Sequence, residues 1–286
     1  MFNIIEKRKI LFLIPAVILL VGIVFAVING GFNTDIDFTG GSAMEIKLGT
    51  NFDEAAIRKA YDGIEGVTVS SVQSTGAQSA LIKTTEITQD QLEAIKASLE
   101  KSFPEYEILS NDVVSATMGK KMLWDSTRAI IFAVICMLIY IWIRFELHSG
   151  IAAVCALIHD VLIMLSVYAI FQFPVNATFI AAVLTILGYS INATIVVFDR
   201  VRENTKFLRS KSFVDVVNTS IWQTLARSIN TSVTTLITLL CLYILGVTSI
   251  RQFALPLIIG VVCGTFSSVF LACQFWVLLR GKKTRA

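Results

Sequence analysis

Six long apolar runs constrain this chain more than any other feature of its sequence. They lie near residues 10–28, 129–145, 151–171, 177–198, 228–246 and 254–279. Most of them reach the roughly 20 residues that an α-helix needs to cross a bilayer, and the second is the shortest. With 55% hydrophobic and only 16% charged residues, the composition excludes an ordinary soluble domain. The sequence therefore predicts a polytopic α-helical membrane protein with six transmembrane helices.

The first apolar run follows a basic cluster, a pattern that a cleaved signal peptide also shows. Its 19 residues and the lack of a small-x-small cleavage site favour a retained helix instead. Basic residues in short loops mark the cytoplasmic side of a membrane protein. Here they cluster at the amino terminus, after the fourth run and in the tail, as Lys7, Arg8, Lys9, Arg200, Arg202, Lys206, Arg209, Lys211, Arg227, Arg280, Lys282, Lys283 and Arg285. We therefore predict that both termini are cytoplasmic.

This orientation predicts three regions along the chain. Residues 1–28 form the cytoplasmic amino terminus and the first transmembrane helix, and residues 29–128 form an extracytoplasmic domain. Residues 129–286 form a five-helix transmembrane domain with a cytoplasmic loop near 199–227 and a basic cytoplasmic tail. A basic tail beside a membrane requires no nucleic acid to explain it, so we expect no nucleic-acid partner.

The extracytoplasmic segment alternates strand and helix patterns. Strand periodicity is present at 42–49, 66–73, 79–85 and near 106–114, and helical periodicity at 53–64 and 88–103. The order βαββαβ predicts an α+β ferredoxin-like domain, with helices on one face of a sheet. Thr88 and Gln91 have the spacing of a capping box at the start of the second helix.

Asp160 lies midway along the third apolar run, beside His159. A central carboxylate is costly in a bilayer and has to be hidden from lipid. Ala153 and Ala156 lie seven and four residues earlier on the same helix face, which indicates close packing against another helix. Proton relay, ion binding and a buried ion pair are the functional interpretations. The structural alternative is a neutral Asp that caps a neighbouring backbone.

The fifth run begins with a polar stripe at helical spacing. Its members are Arg227, Asn230, Thr231, Thr234 and Thr238. Arg227 could snorkel to the headgroups, but its continuity with the threonines favours a polar interior. In the fourth run Gly188, Ser190 and Asn192 interrupt the aliphatic residues, and a charged cluster marks the cytoplasmic boundary. That cluster consists of Asp199, Arg200, Arg202, Glu203 and Asn204.

The residues provide no catalytic or metal-binding pattern. All five cysteines fall inside apolar runs, so neither a disulfide framework nor metal-ligand spacing is predicted. An intramembrane aspartyl protease would need paired carboxylates, but Asp160 is central in its helix and Asp199 lies at a helix end. We therefore expect no enzymatic activity, no metal and no cofactor.

Four motifs together resemble the SecF family of protein-export subunits, within the resistance-nodulation-division superfamily. They are DIDFTGG (35–41), ALIHDV (156–161), GYSIN followed by VVFDRVREN (188–192 and 196–204), and ARSINTSVTTL (226–236). The resemblance covers essentially the whole chain and includes the extracytoplasmic motif Asp37, Phe38, Thr39, Gly40 and Gly41. It implies a location in the bacterial cytoplasmic (inner) membrane and protons as the coupling ion. It also implies a heterodimer with SecD, the SecYEG channel and YajC as further partners, a functional link to SecA, and an exported polypeptide as the client.

The chain departs from this family at one position. Members usually read GYSIND, and that Asp, with the Arg of the fifth span and an Asp of SecD, is taken as the proton site. Here Ala193 occupies the position, while Arg227 matches the family Arg and Asp160 matches the family His-Asp pair. The resemblance thus implies an intramembrane polar network of Asp160, Asn192, Ala193, Arg227, Thr231 and Thr234.

Three explanations of Ala193 stay open: an engineered variant, a natural homologue that relies on Asp160 or on SecD, and an uncoupled scaffold. The alternative function is accordingly a structural membrane scaffold without proton coupling. A small-molecule exporter of the same superfamily predicts two outer domains of several hundred residues, whereas this chain has one of about 100.

Overall fold

The computed structural model describes residues 3–49, 52–75, 78–144, 146–208 and 210–280. The chain separates into two compact units, one of Met1–Asn33 with Arg128–Ala286 and one of Thr34–Thr127. We refer to them as the helical unit and, after the location predicted from the sequence, the outer unit. Arg209 and the tail residues Lys282, Lys283 and Arg285, which contribute to the predicted orientation, lie outside the described residues.

Ten α-helices, one π-helical turn and four strands make up the described residues. In chain order they are α1 (Arg8–Ile28), α2 (Ile36–Thr39), β1 (Gly41–Lys47), α3 (Glu54–Tyr61), β2 (Val69–Ser74), β3 (Ser79–Thr84), α4 (Gln89–Ser102), β4 (Glu107–Val114), α5 (Ala116–Arg144), α6 (Leu147–Phe171), α7 (Ala177–Phe207), α8 (Phe213–Leu245), α9 (Thr248–Phe266), the π-turn (Ser267–Leu271) and α10 (Ala272–Arg280).

Six of the described helical segments are long and apolar enough to cross a membrane. They are α1, α5, α6, α7, α8 and the continuous segment Thr248–Arg280, which joins α9, the π-turn and α10. The prediction of six membrane-spanning helices is confirmed.

Small residues allow α6 to pack closely against other helices. Ala152, Ala153 and Ala156 are fully buried along one face of α6.

Two helices extend well beyond their apolar runs. The sequence predicts a loop near 199–227, but α7 continues through the charged residues to Phe207 and α8 already begins at Phe213. The prediction of a long loop is therefore wrong. Hydropathy marks where lipid contact ends, whereas a helix continues as long as its backbone bonds and caps allow. Ser212 supplies such a cap, because its hydroxyl accepts a hydrogen bond from the Asp215 amide.

The outer unit contains a four-stranded antiparallel sheet in the order β2-β3-β1-β4. With α3 and α4 inserted after β1 and β3, the order βαββαβ confirms the ferredoxin-like prediction. Successive side chains of a strand point to opposite faces of the sheet, and one face packs against the two helices. Ile46, Ile57 and Ile82 are fully buried in the resulting core. The capping box of Thr88 and Gln91 is present as predicted.

Candidate functional site

Asp160 lies at the centre of the helical unit and is completely buried. The Ser190 hydroxyl of α7 donates to Oδ2 of Asp160 at 2.5 Å, and the Ser267 hydroxyl donates to the same oxygen at 2.8 Å. Nδ1 of His159 lies 3.0 Å from the other carboxylate oxygen, Oδ1. Three separate membrane-spanning segments therefore meet at one carboxylate, which we call the Asp160 cluster (His159, Asp160, Ser190 and Ser267).

Small residues make this approach possible. A Cβ atom at Gly264 would lie 3.2 Å from the Ser190 Cβ and 3.7 Å from Oδ2 of Asp160, so an alanine there would already crowd the Ser190 side chain. Ser267 is the first residue of the π-turn, and such turns occur frequently at functional sites because they alter the direction of side chains along a helix. The GTFSS sequence at 264–268 thus supplies both the close approach and the hydroxyl.

The cluster can accommodate either protonation state of Asp160. An unpaired charge is expensive in a bilayer, but two serine hydroxyls donate to Oδ2, and Nδ1 of His159 donates to Oδ1 in the tautomer that carries its proton there. Ser267 also lies 3.2 Å from the Gly264 carbonyl oxygen, so its single proton has a second acceptor. When Asp160 is protonated, Ser267 can donate to that carbonyl and accept from the acid. Proton uptake would then move the Ser267 hydrogen bond from the Asp160 carboxylate to the Gly264 carbonyl oxygen.

One further polar atom belongs to the Asp160 cluster. Nε2 of His159 is buried and has no hydrogen-bond partner among the described residues. Its ring lies 6.5 Å from that of Phe266, measured between centroids. Across the same residues, no group of three or more His, Cys, Asp or Glu side chains could hold a metal ion.

A second site, a small pocket between α7 and α8, contains the family position of the missing Asp. Its volume is about 110 Å³, and its lining residues are Tyr189, Asn192, Ala193, Val196, Arg227, Ser228, Thr231 and Ser232. We call it the Ala193 pocket. The structure thus brings Asn192, Ala193, Arg227 and Thr231 together, whereas Asp160, the other titratable member of the implied network, lies in the separate Asp160 cluster. The Arg227 guanidinium forms no hydrogen bond or ion pair with the described part of the chain.

The polar stripe of α8 faces outward from this chain. Arg227, Thr231 and Thr234 are all exposed, so the stripe does not line an interior formed by this chain alone. The threonine hydroxyls donate to carbonyls of their own helix, as in the 2.9 Å bond from Thr231 to the Arg227 carbonyl and the 2.8 Å bond from Thr234 to the Thr231 carbonyl. Thr234 lies outside the Ala193 pocket. The described residues of this chain alone therefore do not enclose the stripe in a polar interior.

A short chain of hydroxyls connects the Ala193 pocket to the segment that carries Ser267. The Tyr189 hydroxyl lies 3.2 Å from that of Ser232, and the Thr265 hydroxyl lies 2.6 Å from the same Ser232 oxygen. Thr265 is two residues before Ser267 on the continuous segment. Tyr189, Thr265 and Ser267 were not identified from the sequence as candidate site residues.

The charged cluster after the fourth run joins α7 to its neighbours. Nε of Arg200 and Nδ2 of Asn204 both donate to Oε1 of Gln223 on α8, at 2.7 and 2.8 Å. Asn204 also donates to the Ser220 hydroxyl at 2.8 Å and is buried. The other contacts of the cluster are Arg200 with Glu203 at 2.8 Å, Asp199 with Arg144 at 3.6 Å, and Arg202 with the Arg144 carbonyl at 3.4 Å. The bonds to Gln223 and Ser220 hold α7 against α8, and the contacts with Arg144 link α7 to α5.

In the outer unit the DIDFTGG motif builds a structural corner. Asp35 accepts a hydrogen bond from the Ile36 amide at the start of α2 and forms a buried ion pair with Lys83 of β3 at 2.5 Å. Phe38 is buried, Asp37 is partly buried, and the exposed Thr39 donates to the Asp35 carbonyl at 3.1 Å.

The two glycines of that corner are required by close backbone contacts. Gly40 has φ of 79°, and a Cβ there would lie 2.6 Å from the Ala116 Cα. A Cβ at Gly41 would lie 2.4 Å from the Thr84 carbonyl oxygen. Any side chain at either position would force backbone apart, so this motif is explained by packing.

Comparisons with known proteins give a consistent result. Residues 94–282 match the family described as protein export membrane protein SecD/SecF, C-terminal. The protein translocase subunit SecF of Alicyclobacillus acidocaldarius is 38% identical over 99% of this chain and 94% of its own length. The subunit of the same name from Acidaminococcus fermentans is also 38% identical, over 99% of both chains.

Solved structures agree with the sequence relatives. The crystal structure of SecDF from Thermus thermophilus, a translocon-associated membrane protein, superposes on 98% of this chain with a TM-score of 0.85 and 29% identity. A SecDF structure in a super-membrane-facing form covers the same share with a TM-score of 0.70 and 32% identity. This chain spans only 38% and 39% of those two SecDF chains.

Proposed function

This chain belongs to the SecD/SecF family of protein export membrane proteins, and from that premise we propose that it acts with SecD to promote polypeptide export across the bacterial cytoplasmic membrane. The observation that carries the proposal is similarity to SecF subunits over the full length of both chains. The six spans and the single ferredoxin-like outer unit support it. Both termini are then cytoplasmic, and residues 29–128 are extracytoplasmic.

The exposed face of α8 supports a SecD partner. It carries Arg227 and hydroxyl-rich turns, and a charged residue at such a position is stabilised by protein or water rather than by lipid. The chain also accounts for little more than a third of the SecDF chains that it resembles. We expect SecD to cover this face, SecYEG and YajC to bind the pair, and SecA to act first on the exported polypeptide.

Asp160 supports a role for the proton motive force. A charge that crosses the whole membrane potential gains about 2.3 kcal/mol per 100 mV, enough to shift a two-state equilibrium by roughly fifty-fold. Ala193 cannot carry that proton, whereas Asp160 is titratable and holds hydrogen bonds to two other spans. Protonation of Asp160 would therefore change contacts between α6, α7 and the π-turn together.

A structural scaffold is the second candidate, and Ala193 favours it. Because Ala193 occupies the position of the family Asp, it places no carboxylate beside Arg227 in the Ala193 pocket. A chain of this sequence could therefore hold SecD and the channel together without moving protons. A scaffold would support export equally well with and without a proton gradient.

Complementation of export tests the proposed function. Cells depleted of their own SecF would express this chain together with the SecD of its source, and export of a signal-bearing reporter would be followed by pulse-chase. We expect export to recover and to slow again when a protonophore is added. Recovery that is insensitive to the protonophore would support the scaffold, and no recovery would contradict both functions.

Proton flux through liposomes containing this chain and SecD provides the second measurement. We expect a flux that depends on the imposed potential if Asp160 carries protons. A scaffold would show the flux of empty liposomes while still restoring export in cells.

A further inference from the structure

A cationic cavity of about 440 Å³ lies in the helical unit where several spans end. Its lining residues are Ile143, Arg144, Glu146, Ser149, Arg202, Thr205, Lys206, Trp276 and Arg280. We call it the basic pocket. The cations come from three separate places in the chain, namely the end of α5, the last turns of α7 and the end of α10. Folding therefore concentrates positive charge that the sequence keeps far apart.

The lining of the basic pocket carries more positive than negative charge. It holds four cationic side chains and one carboxylate, Glu146, whose nearest oxygen is 3.9 Å from Arg280 and whose side chain is mostly exposed. Arg144 is also paired with Asp199, outside the lining, at 3.6 Å. Lys206 forms no hydrogen bond or ion pair with the described residues. Among the described residues, the partner of the Arg202 guanidinium is the Arg144 carbonyl, at a long 3.4 Å.

Two of these cations repel each other along one helix. Arg202 and Lys206 are four residues apart on α7, where like charges face one another and destabilise the helix. The fold places both on the same cavity instead of separating them. A bound anion between them would turn this repulsion into attraction.

Other features of the basic pocket suit an anion with an apolar attachment. The helix α6 begins at Leu147, and its N-cap residue Glu146 makes no side-chain capping bond, so the positive end of the helix adds to the cationic field. Trp276 and Ile143 form an apolar part of the wall. Arg280 is held 4.4 Å above the ring of Phe213, which orders its guanidinium before any ligand binds.

We propose that the basic pocket binds a phosphate group, carried by the headgroup of an acidic phospholipid. Its cations lie next to long apolar helices, and basic pockets between membrane helices commonly hold such headgroups. Arg144, Arg202 and Arg280 contribute planar donors that match phosphate oxygens, and Lys206 contributes a point charge. Free inorganic phosphate has the same chemistry, so the test separates the two sources.

The test uses the full-length protein purified in a neutral detergent. Cardiolipin, phosphatidylglycerol and phosphatidylcholine are added in separate mixed micelles, and inorganic phosphate is added alone. Retained lipid is counted by native mass spectrometry, and the unfolding temperature is followed in parallel. Arg202→Gln with Lys206→Gln removes two cations of the basic pocket. Lys9→Gln with Lys211→Gln removes the same charge from exposed positions outside it and serves as the control.

We expect cardiolipin and phosphatidylglycerol, but not phosphatidylcholine, to be retained and to raise the unfolding temperature. The pocket variant should bind them about thirty-fold more weakly, because each of the two removed cations contributes a factor of roughly five to six to the binding of an anionic lipid. The control should bind as the parent does. Equal losses of acidic-lipid binding in the pocket variant and the control would show that the basic pocket is not the binding site. Stabilisation by inorganic phosphate alone, with no effect of the acidic lipids, would overturn the lipid as its source.

Discussion

The Ser190 hydroxyl lies 2.5 Å from Oδ2 of Asp160, and both residues are completely buried. The contact joins α7 to α6 through a group that can gain or lose a proton. Ser267 approaches the same oxygen from a third span, so the state of Asp160 is linked to the packing of three helices. In the proposed function, a proton bound by Asp160 would alter hydrogen bonds to both of the other helices.

Asp160→Asn should abolish the proton-dependent part of export. The amide retains the size of the side chain but cannot take up or release a proton in the physiological range. Export in the complemented cells should fall to the level seen with a protonophore. Asp215→Asn, at an exposed position on α8, should leave export unchanged. Full activity of Asp160→Asn would remove this residue from the mechanism.

Ala193→Asp should increase proton-dependent export. The new carboxylate would share the 110 Å³ Ala193 pocket with Arg227, which stabilises its charged form. Protonation of that carboxylate would then break the pair with Arg227. Proton flux in liposomes reconstituted with SecD is the direct measurement. Ala193→Asn introduces a similar volume without a titratable group and should have no effect. Unchanged export and flux in the Asp variant would contradict the prediction.

Gly260→Ala should destabilise the helical unit. A Cβ at this position would lie 2.5 Å from Cγ1 of the buried Ile186, so α9 and α7 would have to separate. Overpacking of this kind costs about 1–3 kcal/mol, which should lower the unfolding temperature in detergent. Gly188→Ala meets no atom within 4 Å and should be neutral or slightly stabilising. An equal response of both variants would refute this account of the contact.

Lys83→Met should destabilise the outer unit more than the loss of an exposed ion pair does. It leaves the Asp35 carboxylate buried and unpaired, at a cost of about 3–5 kcal/mol. Asp35→Asn combined with Lys83→Met should recover much of that loss. Arg58→Met, which breaks an exposed pair with Glu54, should cost under about 1 kcal/mol. Hydrogen exchange of the β1 and β3 amides in the full-length protein measures the stability of all three variants. Equal protection of these amides in the three variants would contradict the prediction.

Burial raises the pKa of the Tyr61 phenol in the outer unit. Because the folded pKa lies above the unfolded value of about 10, the contribution to stability is complete below that pH and is lost as the pH rises beyond it. Proteolysis of the outer unit in the full-length protein should accelerate as the pH rises above about 10. Tyr61→Phe should weaken this dependence, and an unchanged profile would exclude Tyr61 as its source.

Several features could be predicted because their signals are local. Membrane spans depend on apolar length, and the βαββαβ order depends on periodicities of two and 3.6 residues. The end of α7 at Phe207 and the start of α8 at Phe213 were not predicted, because charged residues occur in helices as well as in loops. The basic pocket was missed because its cations reach one another only through packing.

The sequence by itself determined the number of spans, the ferredoxin-like domain and the presence of a carboxylate that must be hidden from lipid. Only the tertiary structure decided which groups hide it. Ser267 is 107 residues from Asp160, and Lys83 is 48 residues from Asp35, and no local pattern encodes such pairs. Hydropathy and periodicity act between near neighbours along the chain, whereas hydrogen bonds and ion pairs are satisfied by whichever groups packing brings within about 3 Å.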